Sequence, residues 1–424
     1  MTVEAPQRAI PTDDGGTAST PWRYLGKPLL RKEDERLLTG TARFLDDIEI
    51  PRALHATFVR SPHAHARIVA IDTEEARRAP GVLAVVTGRE LASWTTKLRI
   101  APPIDGLLPV EMTTLPIEKV RFQGDPVACV VATDRYRAED AAGLVFVEYD
   151  PLEAVAEMEA ALEPTAPLVD ESLGTNLVSH QRFAAGDVAA REREAAAIVE
   201  ATFYQPRQTH LPIETRGCAA VWDDGRRHLT MHIGTQAPHP ARTQLAARLG
   251  LSESQVTLVC PEIGGSFGQK LALSREEVTV AALARHLRRP VRWREDRMEN
   301  LLAAGHAREQ LCRTRAAVSA SGRLLSLHLE LLEDFGAYCF YPANYIARVV
   351  AMIVSGPYKV ADYSFDVKVV LTNKCGAGPM RAPMAITSWV IEGTIDAIAR
   401  ELGLDPADVR RVNMLRRTDL PHVM

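Results

Sequence analysis

One stretch of this 424-residue chain limits its fold more than any other. Residues 255–260, QVTLVC, read as an apolar strand. Residues 263–270, IGGSFGQK, bring three glycines around one aromatic. LALSREEVTVAALARHLRR follows, with Val278, Ala282 and His286 on one i, i+4 row that runs toward Pro290. A strand passing through glycines into a helix commits this region to a mixed αβ domain. The same alternation occurs on either side. Residues 54–61, 82–88, 127–134 and 144–152 read as strands, and 137–142 as a short helix. Farther on, residues 228–236, 324–334 and 366–373 read as strands. Residues 241–250 form a helix stopped by Gly250. Ile391, Ile395, Ile398 and Leu402 mark a helical face closed by Gly403, and Asp405-Pro406 starts another helix. The fold class is therefore α+β. The expected division is a polar tail at 1–22, a small α/β domain at 23–155, a Pro-bearing linker at 156–175 and a larger αβ domain at 176–424.

Composition narrows the function. Fifty basic against fifty-four acidic residues, a formal charge of −4, give no reason to expect nucleic acid as a partner. No apolar run is long enough for a membrane span, and the first residues lack the layout of a signal peptide, so a cytoplasmic chain is expected. The cysteines, at 129, 218, 260, 312, 339 and 375, form no CxxC and no cluster suited to zinc or iron–sulfur. Any iron–sulfur centre working with this chain belongs to another one.

Several segments are candidates for chemistry. The loop at 263–270 fits neither the Walker pattern nor GxGxxG, because its glycines are Gly264, Gly265 and Gly268. Two readings remain: a loop bringing backbone N–H groups to a bound group, or a tight turn packed by Phe267. Gln236, in GTQAPHP, places an amide at a strand end, where a plain helix-entry turn is the alternative. Arg381, in LTNKCGAGPMRAPM, is a cation in a Gly/Pro loop, able to face an anion or to bind carbonyls. Glu214, between apolar flanks in LPIETRGCAA, has two readings: a catalytic acid or base, or a partly buried carboxylate paired with Arg216 or a backbone amide. His63 and His65 share a face if they lie on a strand, but no third metal ligand is near them in sequence.

Taken in order, these pieces resemble the xanthine dehydrogenase family. LTGTARFLDDIEIPRALHATFVRSPHAHARIVAID, APGVLAVVTG, VRFQGDPVACVVATD and RAEDAAGLVFVEYDPL resemble its hammerhead-like domain. IGGSFGQK is similar to its GGGFGxK loop, LTNKCGAGPMRAP to its second cofactor loop, and IEGTIDAIARELGLDPADVRRVN to the helix pair that follows. The resemblance covers residues 24–416. It implies a molybdenum hydroxylase subunit that uses a molybdopterin cofactor and water-derived oxygen, with [2Fe–2S] and FAD on partner chains. Gln236 then matches the glutamine that bonds an oxo ligand of the metal. Gly264, Gly265, Ser266, Phe267 and Gly268 match the first cofactor loop, and Met380, Arg381 and Ala382 the second. Arg348 matches, across a one-residue gap, an arginine that faces substrate.

The departures carry information. Ser266 stands where the family has glycine. Leu271 stands where purine-oxidising members have a substrate-binding glutamate, which disfavours purines. Cys375 lies too far before Arg381 to serve as the active-site cysteine of a carbon monoxide dehydrogenase. The second molybdopterin-binding half, with its general-base glutamate, does not follow residue 416. The expectation is the N-terminal half of a split large subunit, as in nicotinate dehydrogenase. Its partners would be a second molybdopterin-binding chain, an iron–sulfur subunit and a flavin subunit, and its substrate an aldehyde or N-heteroaromatic compound. The competing expectation is a non-catalytic assembly or binding protein that retains the fold.

Overall fold

The run PVACVVA (Pro126–Ala132) has no polar face to offer water, and the computed structural model buries all seven residues. The structure describes residues 24–100, 106–338 and 346–420, so the expected tail and Cys339 lie outside the described residues. Among the described residues, those up to Ala42 form a unit of their own, which carries α1 (Asp34–Leu38). From Arg43 onward the chain forms a second unit.

In its first part the strands are β1 (Leu54–Arg60), β2 (Ala66–Asp72), β3 (Val82–Thr87), β4 (Leu98–Ile100), β5 (Val110–Met112), β6 (Lys119–Val120), β7 (Pro126–Ala132) and β8 (Phe146–Pro151). The helices there are α2 (Glu74–Arg78), α3 (Gly88–Trp94) and α4 (Arg135–Ala142), the last capped by Asp134, which accepts from Arg137 N. The remainder carries β9 (Leu177–Ala185), α5 (Val188–Glu194), β10 (Ala197–Gln208), β11 (Gly217–Asp223), β12 (His228–Ile233), α6 (Pro238–Leu249), β13 (Val256–Val259), α7 (Arg275–Leu287), β14 (Val291–Arg294), α8 (Arg297–Ala303), β15 (Ala307–Val318), β16 (Leu324–Asp334), α9 (Ile346–Ile353), β17 (Asp362–Val370), α10 (Ile386–Leu402) and α11 (Pro406–Asn413).

Two sheets organise this unit. The first has seven strands in the order β13-β12-β11-β14-β1-β7-β3, so the two parts of the chain share it. They meet where β1 runs parallel to β14, with Leu54 opposite Val291 and His55 opposite Arg292. β7 lies between antiparallel β1 and β3 because its residues are apolar on both faces. α7 packs on this sheet with every residue from Arg275 to Ala284 buried. It starts later than the periodicity predicts. Ser274 and Glu277 close a reciprocal capping box, which uses residues 271–274 as turn and cap. Arg288, at φ +52°, ends the helix before Pro290.

The second sheet has the order β10-β15-β16-β17-β9. β10 and β15 are long antiparallel partners; Arg315 on β15 pairs with Glu200 on β10 and, at 2.7 Å, with Glu192 on α5. The expected face of α10 is buried at Ile391, Ile395 and Ile398. Gly403, at φ +66°, terminates the helix, and Asp405 caps α11 through Ala407 N at 2.7 Å. Residues 156–175, expected as a linker, are anchored at a few buried side chains. Met158, Ala161 and Val169 are buried in the core of the second sheet, and Asn176 Oδ1 holds Val169 N at 2.9 Å.

Candidate functional site

The glycine loop sits between β13 and α7, and its glycines are there for close approach. A Cβ on Gly264 would fall 2.5 Å from the Glu214 side chain. One on Gly268, at φ +112°, would fall 1.8 Å from the Pro379 carbonyl oxygen. Phe267 itself is left-handed at φ +55°, an uncommon conformation for an aromatic residue, and its ring is 39% exposed.

The reason is a second loop, following β17, that docks on the first. Arg381 N donates to Phe267 O at 2.9 Å, and the Arg381 guanidinium lies over the Phe267 ring, 4.6 Å from its centre. Arg381 and Ala382 are also left-handed, at φ +38° and +47°. Side chains from elsewhere hold this second loop by its carbonyls. His210 Nε2 donates to Pro379 O at 2.7 Å, and Arg308 donates to Met380 O at 3.2 Å and Arg381 O at 3.3 Å. Burial lowers the His210 pKa, which keeps its ring neutral.

Gln236 lies in the turn between β12 and α6. Its backbone N–H donates to Lys270 O at 3.1 Å, and Thr235 Oγ1 donates to the same carbonyl. Its side-chain Oε1 accepts from Gly268 N at 2.9 Å and from Ser266 Oγ. A backbone N–H can only donate, so the atom facing it is the amide oxygen. That fixes Nε2 as the free end, a donor with no partner among the described residues on an exposed side chain. The site therefore offers neutral donors.

The charges lie beneath it and are paired. Lys270, its side chain 1% exposed, donates to Glu214 Oε2 at 2.8 Å, and the same oxygen accepts from Gly264 N at 2.9 Å. Burial pushes the Lys270 pKa down against the pull of Glu214. Deeper still, Arg216 pairs with Glu295 and Glu276, and Arg60 with Glu276 and Glu299. Burial alone would raise the Glu276 pKa; Arg216 and Arg60 outweigh it and hold the carboxyl at about 2. Asn300 Nδ2 links this cluster to the loop through Glu295 Oε2 at 2.7 Å and Gln269 Oε1 at 2.9 Å.

The structure brings together Gln236, Gly264, Gly265, Ser266, Phe267, Gly268, Met380, Arg381 and Ala382. Leu271 closes the loop, its N–H bonded to Gly268 O at 3.1 Å. Arg348 is not among them: on α9 it lines a separate cavity with β9 and β17. Glu214 pairs with Lys270 and a backbone amide, while Arg216 turns to deeper carboxylates. The histidine pair lies between β1 and β2 rather than on a strand. There His65 Nδ1 bonds Glu153 O and His63 packs edge-on to Tyr149. No group of three or more metal-capable side chains occurs among the described residues. Cys375 is buried with its thiol against the Ala303 and Ala304 carbonyls, its pKa pushed by burial to about 12. His210, Arg308 and Asn300 gave no local signal, because each acts on loops remote in sequence.

Comparison with known proteins defines the class. Residues 169–414 match the family model for a molybdopterin cofactor-binding domain. Residues 39–153 match that for the a/b hammerhead domain of aldehyde oxidase and xanthine dehydrogenase. The chain belongs to the aldehyde oxidase and xanthine dehydrogenase family of molybdopterin-binding subunits. It is 35% identical to the nicotine 6-hydroxylase large subunit of Paenarthrobacter nicotinovorans, over 92% of this chain and 48% of that subunit. It is 32% identical to the nicotinate dehydrogenase large molybdopterin subunit of Eubacterium barkeri, over 92% of this chain and 89% of that one. The crystal structure of quinoline 2-oxidoreductase from Pseudomonas putida 86 superposes with a TM-score of 0.91 at 38% identity, covering 94% of this chain and 51% of that one. The chain thus spans about half the length of several curated relatives and most of the E. barkeri subunit. Among the described residues, no helix is long and apolar enough to cross a membrane.

Proposed function

We propose that this chain forms one wall of the active site of a cytoplasmic molybdenum hydroxylase that oxidises a carbon centre of an N-heteroaromatic compound or an aldehyde, with water as the oxygen source. A partner chain supplies the second molybdopterin-binding half and the catalytic glutamate, and [2Fe–2S] and FAD subunits carry the electrons away. On this reading the chain is inactive alone. The observation that carries the proposal is the fixed orientation of Gln236: Gly268 N–H and Ser266 grip its oxygen and leave a donor free between two docked loops.

The residues present fit a molybdopterin cofactor. Such a group, when bound, supplies a redox-active metal that takes two electrons from the substrate carbon. This chain's part is to bind and orient. Gln236 Nε2 offers a neutral donor, the Phe267 loop offers backbone N–H groups, and the carboxylate bonded to Gly264 N, Glu214, is neutralised by Lys270 and so does not repel an electron-rich ligand. Arg381 spends its backbone on Phe267 and its cation on the Phe267 ring, so it acts by fixing the two loops together. The absence of a carboxylate at Leu271 disfavours purines, and the buried, bonded thiol of Cys375 disfavours carbon monoxide. N-heteroaromatics are favoured because relatives named for nicotine, nicotinate and quinoline are similar over nearly the whole chain.

The test is to purify the chain with its co-expressed partners and supply nicotinate, quinoline and benzaldehyde anaerobically with a dye acceptor in ¹⁸O-water. Dye reduction with ¹⁸O in the product supports the proposal. A complex carrying molybdenum that reduces no dye with any of these substrates points instead to an assembly or binding protein.

A further inference from the structure

A cavity of about 510 Å³ lies on the second sheet, away from the docked loops, between edge strand β9, β17 and α9. Its body is apolar and aromatic. Phe183 and Phe365 stack at 5.4 Å with 23° between their planes, Tyr363 adds its ring at 6.0 Å from Phe365, and Met352 closes one side. The Tyr363 hydroxyl is committed to Ala351 O, so only its ring is available. Phe183 and Met352 are each about half exposed, at 48% and 49%, a costly display for such side chains unless something covers them.

The polar lining is asymmetric. No carboxylate lines the cavity, whereas two arginines do. Arg182 is paired with Asp366 at 2.8 Å, and His180 contacts the same carboxylate at 2.9 Å, which leaves that acid fully engaged. Arg348 has no ion pair among the described residues, and residues 339–345, just before α9, contain no acidic side chain in the sequence. A guanidinium without an ion pair among the described residues, beside stacked aromatic rings, is the complement of a flat apolar molecule that carries one carboxylate.

We infer that this cavity is a second small-molecule site that binds planar aromatic carboxylates, with Arg348 pairing the carboxylate and the Phe183–Phe365 stack taking the ring. Its volume suits a ligand of one or two fused rings. The site is separate from the cofactor loops: none of Gln236, Phe267 or Arg381 lines it. The inference does not depend on the proposed reaction, because its test needs neither cofactor nor turnover.

The experiment is calorimetric titration of the full chain with 6-hydroxy-2-naphthoate, and with the uncharged 6-hydroxy-2-naphthamide as control. The acid should bind saturably with one site per chain, and the amide at least tenfold more weakly. Arg348→Met, on the exposed face of α9, should keep the thermal transition and lose at least tenfold in affinity for the acid. Phe183→Ser should weaken acid and amide alike. Gln236→Ala should change neither. Absence of saturable binding, equal binding of acid and amide, or binding unaffected by Arg348→Met would each overturn the inference.

Discussion

Substituting Gly268 by alanine tests the docking of the two loops, because the geometry states the cost. The added Cβ lies 1.8 Å from Pro379 O, while a carbon and a carbonyl oxygen rest at about 3.3 Å or more, so the loops must part by roughly 1.5 Å. Holding alanine at φ +112° adds about 1–2 kcal/mol of backbone strain. Parting the loops stretches the Arg381 N to Phe267 O bond, about 1 kcal/mol, and weakens the Arg381–Phe267 ring contact, about 0.5–1 kcal/mol. The local loss is then about 2.5–4 kcal/mol. Gly403 provides the control: it is also left-handed, at φ +66°, but has open space where its Cβ would go. The assay is amide hydrogen exchange followed by mass spectrometry. In Gly268→Ala, peptides covering residues 263–270 and 376–382 should exchange roughly 70- to 900-fold faster than wild type. In Gly403→Ala both loops should match wild type. Wild-type exchange at both loops in Gly268→Ala would refute the reasoning, since no relaxation that keeps the loops docked can absorb a clash with backbone.

Three further outcomes follow from the same geometry. Gln236→Glu keeps an acceptor for Gly268 N–H and removes the free donor. The thermal transition should move by less than about 2 °C while turnover in the assembled complex falls about 100-fold, measured by dye reduction. Lys270→Met leaves Glu214 charged, with only backbone N–H donors and 19% exposure to offset it. The loss should be about 2–3 kcal/mol in denaturant unfolding, and Lys270→Met combined with Glu214→Gln should recover most of it. Glu333, 4% exposed and with Oε2 unpartnered, has its pKa pushed up by burial to about 8. A carboxyl whose folded pKa is raised contributes stability that is fully present below about pH 4.5 and is lost as pH rises toward 8. Glu333→Gln should therefore unfold at a higher temperature than wild type at pH 8, by the equivalent of about 1–3 kcal/mol, and the difference should vanish near pH 4.5 in calorimetry.

Much of the site was legible because its loops announce themselves locally. Three glycines around Phe267 and a Gly/Pro loop around Arg381 are costly unless backbone must pass close to something. Here the first thing each loop meets is the other. The partner of Glu214 was not legible. The sequence offers Arg216 two residues away, but a strand places i and i+2 on one face only while the chain stays extended, and Arg216 begins the run into β11, where it faces Glu295 and Glu276. The place of Arg348, beside β9 and β17, was not legible either. One residue of shift on a helix is a rotation of about 100°, enough to turn a side chain from one cavity to another. β15, with Arg308, Arg313 and Arg315, lacks the apolar alternation that marked β16, because its charges find partners only in the folded chain: Arg315 pairs with Glu192 on α5 and Glu200 on β10, Arg313 with Glu159, and Arg308 bonds the Met380 and Arg381 carbonyls. The sharing of one sheet by both parts of the chain is likewise a long-range fact, carried by two residue pairs between β1 and β14.

The central claim is that this chain supplies one wall of a molybdopterin site and needs a second chain to complete it. Metal analysis tests it most directly, on the full chain purified alone and together with a co-expressed second molybdopterin-binding chain. The account predicts one molybdenum per pair of chains in the complex and almost none in the chain alone. A full complement of molybdenum in the isolated chain, accompanied by substrate-dependent dye reduction, would contradict it.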